Sequence, residues 1–256
     1  MAWNARRGGG TFTADQLIDA FTSAVGPTGD VLVPTFNFDL RPGDAFDIRR
    51  TRSMSGALAN ASLDRADFKR TTHALHSFAV SGAHADQLVL AEELGSFGPS
   101  SPFAFLHRQR GVLVAIDLPL NEALTFAHFV EERNGVPYRR HIELTIRCTG
   151  ADGSVSDRAF TVYAKRLGHN MDFSALEPLL EKADALVRGE LDGSHFIRVD
   201  LAKAFDVIAD DIRQNNARSI HQFRWSWWLR DVMKTGLRTL GIHTRTERLA
   251  HAARTP

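Results

Sequence analysis

The feature that most constrains the fold is a continuous apolar run, GVLVAI, over Gly111–Ile116. Such a run is typical of a strand that is buried on both faces in the centre of a sheet. Segments with helical periodicity lie on both sides of it along the chain. Strands that alternate with helices in this way indicate a layered α/β fold.

The helices of this fold are predicted from apolar periodicity together with capping residues. Thr13 or Thr11 is expected to cap the first helix. Ser55 is expected to cap the short helix that follows it, and Asp200 the helix that starts at Leu201. The predicted helices are Ala14–Val25, Gly56–Ser62, Ala85–Leu94, a helix from Phe103, a helix from about Glu122 to Glu132, Phe173–Val187 and Leu201–Gln214.

The predicted strands include one hairpin, in which His141–Cys148 and Arg158–Tyr163 flank the turn Ala151-Asp152-Gly153-Ser154. The fold class is therefore α/β, a layered mixed sheet with flanking helices, an antiparallel hairpin excursion and a C-terminal helical appendage. Residues 1–215 are expected to form one domain. The remaining predicted strands are Val31–Pro34, Ser77–Val80, Gly111–Ile116 and His195–Val199.

Charge and cysteine content limit the class of protein. The 31 basic and 30 acidic residues give a formal net charge of +1, which offers no general attraction for nucleic acid. The single cysteine, Cys148, cannot form an internal disulfide, and its strand-like setting favours a small buried residue over a nucleophile. The start, MAWNARRGGG, is not a signal peptide, and no run approaches the ~20 apolar residues of a membrane span. We therefore predict a cytoplasmic protein.

The segment 216–256 differs from the rest because tryptophans precede a series of basic residues. One interpretation is a helix that packs on its own domain or on a second copy in a homo-oligomer. The other is a module whose tryptophans lie at a membrane surface while its arginines meet anionic lipid. The residues are Trp225, Trp227, Trp228, Arg230, Lys234, Arg238, Arg245 and Arg248.

The segment that indicates chemistry is LTFAHFVEER, in which Thr125, His128 and Glu131 recur every three residues. On a helix these side chains lie on nearly one face. A carboxylate that binds one imidazole nitrogen orients the ring and makes the other nitrogen more basic, as the deprotonation of an amine requires. The alternative interpretation is an ordinary surface pair worth ~0.2–0.5 kcal/mol.

A second cluster, Thr72-His73-Ala74-Leu75-His76-Ser77, raises the possibility of a metal site. His73, His76 and His128 could supply three nitrogen ligands. However, residues three apart at a strand entrance tend to face opposite sides, and the chain has neither a His-x-x-x-His helix pair nor a cysteine pair. We therefore predict no metal.

Several segments together resemble the aminoglycoside 3-N-acetyltransferase family, whose members transfer an acetyl group from acetyl-CoA to an amine of an antibiotic. They occur in the family's order over roughly residues 26–140. The segments are GPTGDVLVPTFNF, SMSGALAN, THALHSFAVSG, FGPSSPFAFL, GVLVAIDL, LTFAHFVEE and VPYRR.

The resemblance implies a role for each residue of the Thr-x-x-His-x-x-Glu motif. His128 and Glu131 correspond to the catalytic dyad, and Thr125 to a donor for the thioester carbonyl. The co-substrate is acetyl-CoA or another acyl-CoA, seated by loops near strand ends and helix starts. A turn such as SSPF is equally an ordinary helix entry. The implied CoA-binding residues are Thr35, Phe36, His73, His76, Ser77, Ser101, Pro102 and Phe103.

Two departures from the family pattern affect these expectations. The family's first strand and its serine-containing loop should precede Ala2-Trp3-Asn4, so this chain is expected to begin after them, with weaker CoA affinity. The turn DLPLNEAL lacks the asparagine-threonine dipeptide of drug-modifying members.

The second departure bears on the acceptor. Arg133, Arg139 and Arg140 at the predicted mouth favour an amino sugar, including a nucleotide-linked one, over an aminoglycoside. The alternatives are a true aminoglycoside 3-N-acetyltransferase, a non-catalytic member that binds CoA or sugar, and a membrane-associated member. The acidic residues that could instead attract a cationic drug are Glu92, Glu93, Asp117 and Glu122.

Overall fold

The structure, a computed structural model, describes residues 13–191 and 193–239. The alternative cap Thr11, the segment before it, and Arg245 and Arg248 lie outside this range. The helices of the described part are α1 (Ala14–Val25), α2 (Ala57–Asp64), α3 (Ala85–Leu90), α4 (Pro102–Arg108), α5 (Leu120–Ala123), α6 (Phe126–Arg133), α7 (Glu177–Lys182), α8 (Leu201–Asn215) and α9 (Trp225–Thr239). The strands are β1 (Asp30–Pro34), β2 (Ala45–Asp47), β3 (Lys69–Arg70), β4 (Phe78–Gly82), β5 (Val112–Ile116), β6 (Arg139–Thr149), β7 (Val155–Lys165), β8 (His169–Met171), β9 (Leu186–Leu191), β10 (Ser194–Asp200) and β11 (His221–Phe223).

The strands form several small sheets. One has the order β1-β4-β3 and another β5-β10-β9, both antiparallel, and β8 pairs with β11. In the sheet β2-β6-β7, the first pair is parallel and the second antiparallel. The mixed sheet and its long hairpin confirm the predicted fold class.

Helices α1 and α8 begin where the sequence predicts, because each has a polar cap before an amphipathic run. Thr13 and Gln16 form a capping box, in which each side chain accepts a hydrogen bond from the other residue's backbone N–H. The Asp200 carboxylate accepts hydrogen bonds from two backbone N–H groups at the start of α8. The apolar face of α8, including Ala204 and Ile208, packs into the main core.

The prediction of a central strand at Gly111–Ile116 is wrong. Strand β5 lies at one end of its sheet and pairs with β10. Ala115 is buried, whereas Val112 is 42% exposed and Val114 is 43% exposed. An unbroken apolar run does not reveal how many of its faces are covered, and here the alternate side chains face away from the core.

Three helix predictions are also corrected. The segment Phe173–Val187 contains only the short helix α7, because Asp184 adopts a left-handed conformation (φ 51°) and the chain then enters β9. Helix α3 ends at Leu90 instead of Leu94. Ser55 does not cap α2, because the N-cap residue is Gly56. The Ser55 hydroxyl instead accepts a hydrogen bond from the Phe36 N–H.

The C-terminal segment starts inside the fold. Ala217 and Ile220 are buried in the main core, and β11 follows them. Helix α9 then carries Trp225, which is 70% exposed, together with exposed Leu229 and Met233. The division at residue 215 and the two interpretations of this segment stay predictions. None of the helices that the structure describes has the length and apolar character needed to cross a bilayer.

Cys148 has the role that its sequence context predicts. It is buried in β6 and packs in a cluster with Phe46 and Ile146. Burial raises the pKa of the Cys148 thiol. The thiolate is therefore disfavoured, which fits a packing role.

Candidate active site

The predicted helix from Glu122 to Glu132 is two helices with a break between them. The buried Leu124 leaves the helical conformation (φ −89°, ψ 55°), and Thr125 occupies the N-cap position of α6. The Thr125 hydroxyl makes no capping hydrogen bond. The break places Thr125 one turn before His128 and leaves its hydroxyl unused by the helix.

Helix α6 brings His128 and Glu131 together as the spacing predicts. The distance from His128 Nδ1 to Glu131 Oε2 is 2.7 Å. The His128 side chain is 23% exposed, whereas that of Glu131 is completely buried. The His128 side chain is thus partly accessible to solvent, whereas the carboxylate that it contacts is not.

Two residues that follow α6 complete this cluster. Gly135 has a left-handed conformation (φ 62°), which lets the chain reverse after the helix so that Tyr138 and Arg139 meet it. The Tyr138 hydroxyl donates a hydrogen bond to Glu131 Oε1 at 2.8 Å. Arg139 Nε lies 2.6 Å from Glu131 Oε2 in an ion pair whose N–H is not aligned for a hydrogen bond. The carboxylate therefore has three neighbours, one on its own helix and two on the segment that follows the turn.

The electrostatics of the cluster favour a neutral histidine and an ionised glutamate. Burial is the largest cause that lowers the pKa of His128, and the charge of Arg139 lowers it further against the opposing effect of Glu131. Burial alone would raise the pKa of Glu131. Contacts with His128, Arg139 and Tyr138 outweigh that effect and lower the pKa of Glu131. A neutral imidazole is the form that can accept a proton.

The structure corrects the placement of Arg139 at the mouth. Its side chain is only 6% exposed and contacts the dyad. Arg133 and Arg140 are exposed, and the Arg133 guanidinium lies 5.2 Å from the centre of the Phe129 ring. Arg139 is buried because it begins β6, where the hairpin with β7 covers it.

The residues predicted to bind CoA are all buried, and several pair with one another. Thr35 Oγ1 and Ser77 Oγ are 3.0 Å apart. The Ser101 hydroxyl caps α4 by accepting a hydrogen bond from the Ala104 N–H, as an ordinary helix entry would. The buried members of this set are Thr35, Phe36, His73, His76, Ser77, Ser101, Pro102 and Phe103. Their contact with CoA stays a prediction.

The two histidines of the second cluster do not face opposite sides, contrary to the prediction. They lie in an irregular loop, and their ring centres are 5.5 Å apart. His73 Nδ1 accepts hydrogen bonds from the N–H groups of Leu75 and His76, which fold the loop tightly. Across residues 13–191 and 193–239, no three His, Cys, Asp or Glu side chains are grouped so as to hold a metal ion.

Phe97 joins these parts and was not identified from the sequence. The centre of its buried ring lies 6.2 Å from that of His128, 5.3 Å from His76 and 4.9 Å from Phe103. A phenylalanine in a loop carries no distinctive pattern, and neither does a tyrosine or an arginine after a turn. Only the fold places Phe97 and Tyr138 beside α6 and brings Arg139, expected at the mouth, into contact with the dyad.

Comparison with known proteins identifies the family. The family model of aminoglycoside 3-N-acetyltransferase matches residues 7–212. Aminoglycoside acetyltransferase AAC(3)-Xa is 24% identical, with a TM-score of 0.67 over 78% of this chain and 80% of that one. AAC-IIIb with CoASH is 19% identical, with a TM-score of 0.65 over 79% and 84% of the two chains. Sisomicin-bound AAC-VIa is 20% identical, with a TM-score of 0.64 over 79% and 85%. The chain therefore belongs to the aminoglycoside 3-N-acetyltransferase family, whose enzymes are acyl-CoA-dependent N-acyltransferases.

Proposed function

We propose that the protein transfers an acetyl or other short acyl group from acyl-CoA to a primary amine of an amino sugar, free or nucleotide-linked, with His128 as general base. The observation that carries this proposal is the 2.7 Å contact between His128 Nδ1 and the buried Glu131 carboxylate. That contact selects the tautomer with its proton on Nδ1 and leaves Nε2 as the basic nitrogen. The His128 side chain is 23% exposed to solvent, which supports its role as a base for an incoming amine.

The reaction requires a base because the nitrogen of the neutral amine must lose a proton as it becomes an amide. His128 Nε2 accepts the proton as the amine nitrogen attacks the thioester carbonyl carbon. A C–N bond forms, the C–S bond breaks, and CoA leaves as a thiolate. The imidazolium then returns its proton to the thiolate or to water. Since the thiolate is already a good leaving group, direct transfer needs no acyl-enzyme.

Thr125 is the proposed donor to the thioester oxygen. Negative charge builds on that oxygen during attack, and one donor in such a position is typically worth ~3 kcal/mol. Thr125 is half-buried at the start of α6, and its hydroxyl makes no capping hydrogen bond. Both its position and its unused donor support this role.

Acyl-CoA is the proposed acyl donor, and the loops around Phe97 are its proposed seat. The rings of Phe36, His76 and Phe103 form a cluster in which the ring centres are 5.4–6.2 Å apart. Phe97 connects this cluster to His128. His76 Nδ1 is buried and lacks a hydrogen-bond partner in the described part of the chain. Buried polar atoms are rarely left unpaired, so a polar arm of the substrate that reached this nitrogen would satisfy it. The CoASH complex of AAC-IIIb, a protein of the same fold, also supports this choice.

The charges near the dyad leave two classes of acceptor to distinguish. Exposed Arg133 and Arg140 favour an amino sugar that carries phosphate, although the burial of Arg139 removes one cation from this argument. Glu93 lies near enough to Glu132 to raise its pKa, in addition to the larger effect of burial. Carboxylates such as these favour a polycationic aminoglycoside, which is the second candidate, and the structure of AAC-VIa bound to sisomicin also supports it.

A thiol-release assay tests the proposal. Acetyl-CoA is supplied with amino sugars, amino-sugar nucleotides and aminoglycosides in separate reactions, and free CoA is measured. Release that depends on an amino sugar supports the proposal. Release with aminoglycosides alone favours the second candidate. CoA binding without release by any acceptor indicates a non-catalytic member.

A further inference from the structure

Arg139 contacts both members of the dyad, yet the proposed general-base mechanism does not include it. We propose that Arg139 is a positioning residue that holds Glu131 as a carboxylate and His128 as a neutral imidazole, so that the base is free at neutral pH. This inference rests on the proposed role of His128. It adds a third member to the site, one that acts through the dyad and not on the substrate.

The geometry fixes the guanidinium against the dyad from three directions. Arg139 Nε lies 2.6 Å from Glu131 Oε2. Arg139 Nη2 lies 2.8 Å from His128 Nδ1 and 3.2 Å from His128 Nε2. Arg139 Nη1 donates a hydrogen bond to the Tyr163 carbonyl at 3.0 Å, which anchors the side chain to β7. The guanidinium is thus held at the imidazole by contacts that do not involve the imidazole.

These distances indicate that charge dominates the contact with His128. The lone pairs of the two ring nitrogens diverge, so one guanidinium nitrogen that is close to both cannot be aligned with both. Nδ1 also needs its proton for Glu131, and a donor cannot accept at the same atom. The contact therefore acts mainly by placing a positive charge beside the ring.

The carboxylate acts against a neutral His128, whereas burial acts in its favour. Glu131 beside His128 favours the imidazolium, and an imidazolium cannot act as a base. The charged or titratable groups that face His128 are Glu131 from its own helix, Arg139 from β6 and His76 from the loop before β4. Burial lowers the pKa of His76 well below its usual value, so His76 adds no charge. Among the charged groups that face His128, Arg139 is then the one that opposes Glu131, in addition to burial.

NMR titration of the free protein with isotope-labelled histidine tests this inference. The His128 signal is assigned by its loss in His128→Asn. In the wild type, His128 should titrate below the usual value of about 6.5. Arg139→Gln should raise that midpoint by about one pH unit or more, since a like charge is removed. Arg139→Lys should restore most of the shift, and Arg140→Gln, at the exposed neighbouring position, should leave the His128 titration unchanged.

The experiment separates this inference from the proposed function because it needs no substrate. A His128 midpoint in Arg139→Gln that is unchanged or lower would overturn the inference, even in an active enzyme. The predicted shift in a protein without transferase activity would overturn the function alone. If Arg139→Gln does not fold, the wild-type titration still decides, since a midpoint above about 7 contradicts a histidine held neutral. In an active enzyme, the acid limb of the kcat/KM profile should move with the NMR midpoint.

Discussion

Replacing Glu131 by Gln should destabilise the protein by about 3–5 kcal/mol, because it leaves a buried cation without a counter-charge. The substitution keeps the size of the side chain and removes its charge. Glu131 is fully buried, and the Arg139 side chain that faces it at 2.6 Å is only 6% exposed. The loss would be a large part of the ~5–15 kcal/mol that stabilises a typical domain.

Equilibrium unfolding in urea, followed by circular dichroism, measures this loss. With a denaturant dependence of about 1–3 kcal/mol per molar, the midpoint should fall by at least about 1 M. Glu132→Gln is the matched control on the same helix. Its partner His141 is 3.5 Å away and half exposed, so the control should lose less than about 1 kcal/mol.

A double substitution identifies the cause. Glu131→Gln combined with Arg139→Met removes both charges, so the pair should lose at least about 2 kcal/mol less than the sum of the single losses. Additive losses, or a loss below about 1 kcal/mol for Glu131→Gln alone, would refute the reasoning that Arg139 depends on this carboxylate.

Two further predictions concern stability. Burial lowers the pKa of His73 to about 3 and that of His76 well below its usual value. Since the unfolded chain binds protons first, stability should fall from about pH 6.5 downward by up to ~1.4 kcal/mol per pH unit for each histidine. Equal urea midpoints at pH 7.5 and 5.5 would contradict this. Tyr138→Phe should reduce the free energy of unfolding by about 1.5–3 kcal/mol, because the Tyr138 hydroxyl donates a hydrogen bond to a carboxylate. Tyr163→Phe should reduce it by only ~0.5–1.5 kcal/mol, because the Tyr163 hydroxyl donates to a neutral carbonyl. Equal urea midpoints for the two variants would contradict that difference.

The sequence is most informative where structure is local. The capping box of Thr13 and the carboxylate of Asp200 mark the starts of α1 and α8 because caps act within one helical turn. The His128–Glu131 contact follows from helical spacing in the same way. These features depend on neighbours two or three residues away, which a single sequence displays.

Features that depend on distant partners are missed. The position of β5 depends on its pairing with β10, about eighty residues later along the chain. Val187 continues an apolar pattern that suits a helix, but pairing with β10 places it in β9. Arg139 is assigned to the surface by its charge, whereas the hairpin and Glu131 bury it. In each case, tertiary contacts override a local preference.

The most direct test of the central claim is the rate of acyl transfer by His128→Ala, measured by thiol release with the amine that the wild type accepts. Loss of the general base should reduce kcat by about 10²–10⁴-fold, while acetyl-CoA affinity, measured by calorimetry, stays within a few-fold. A variant that turns over within about tenfold of the wild type would show that this imidazole is not the base.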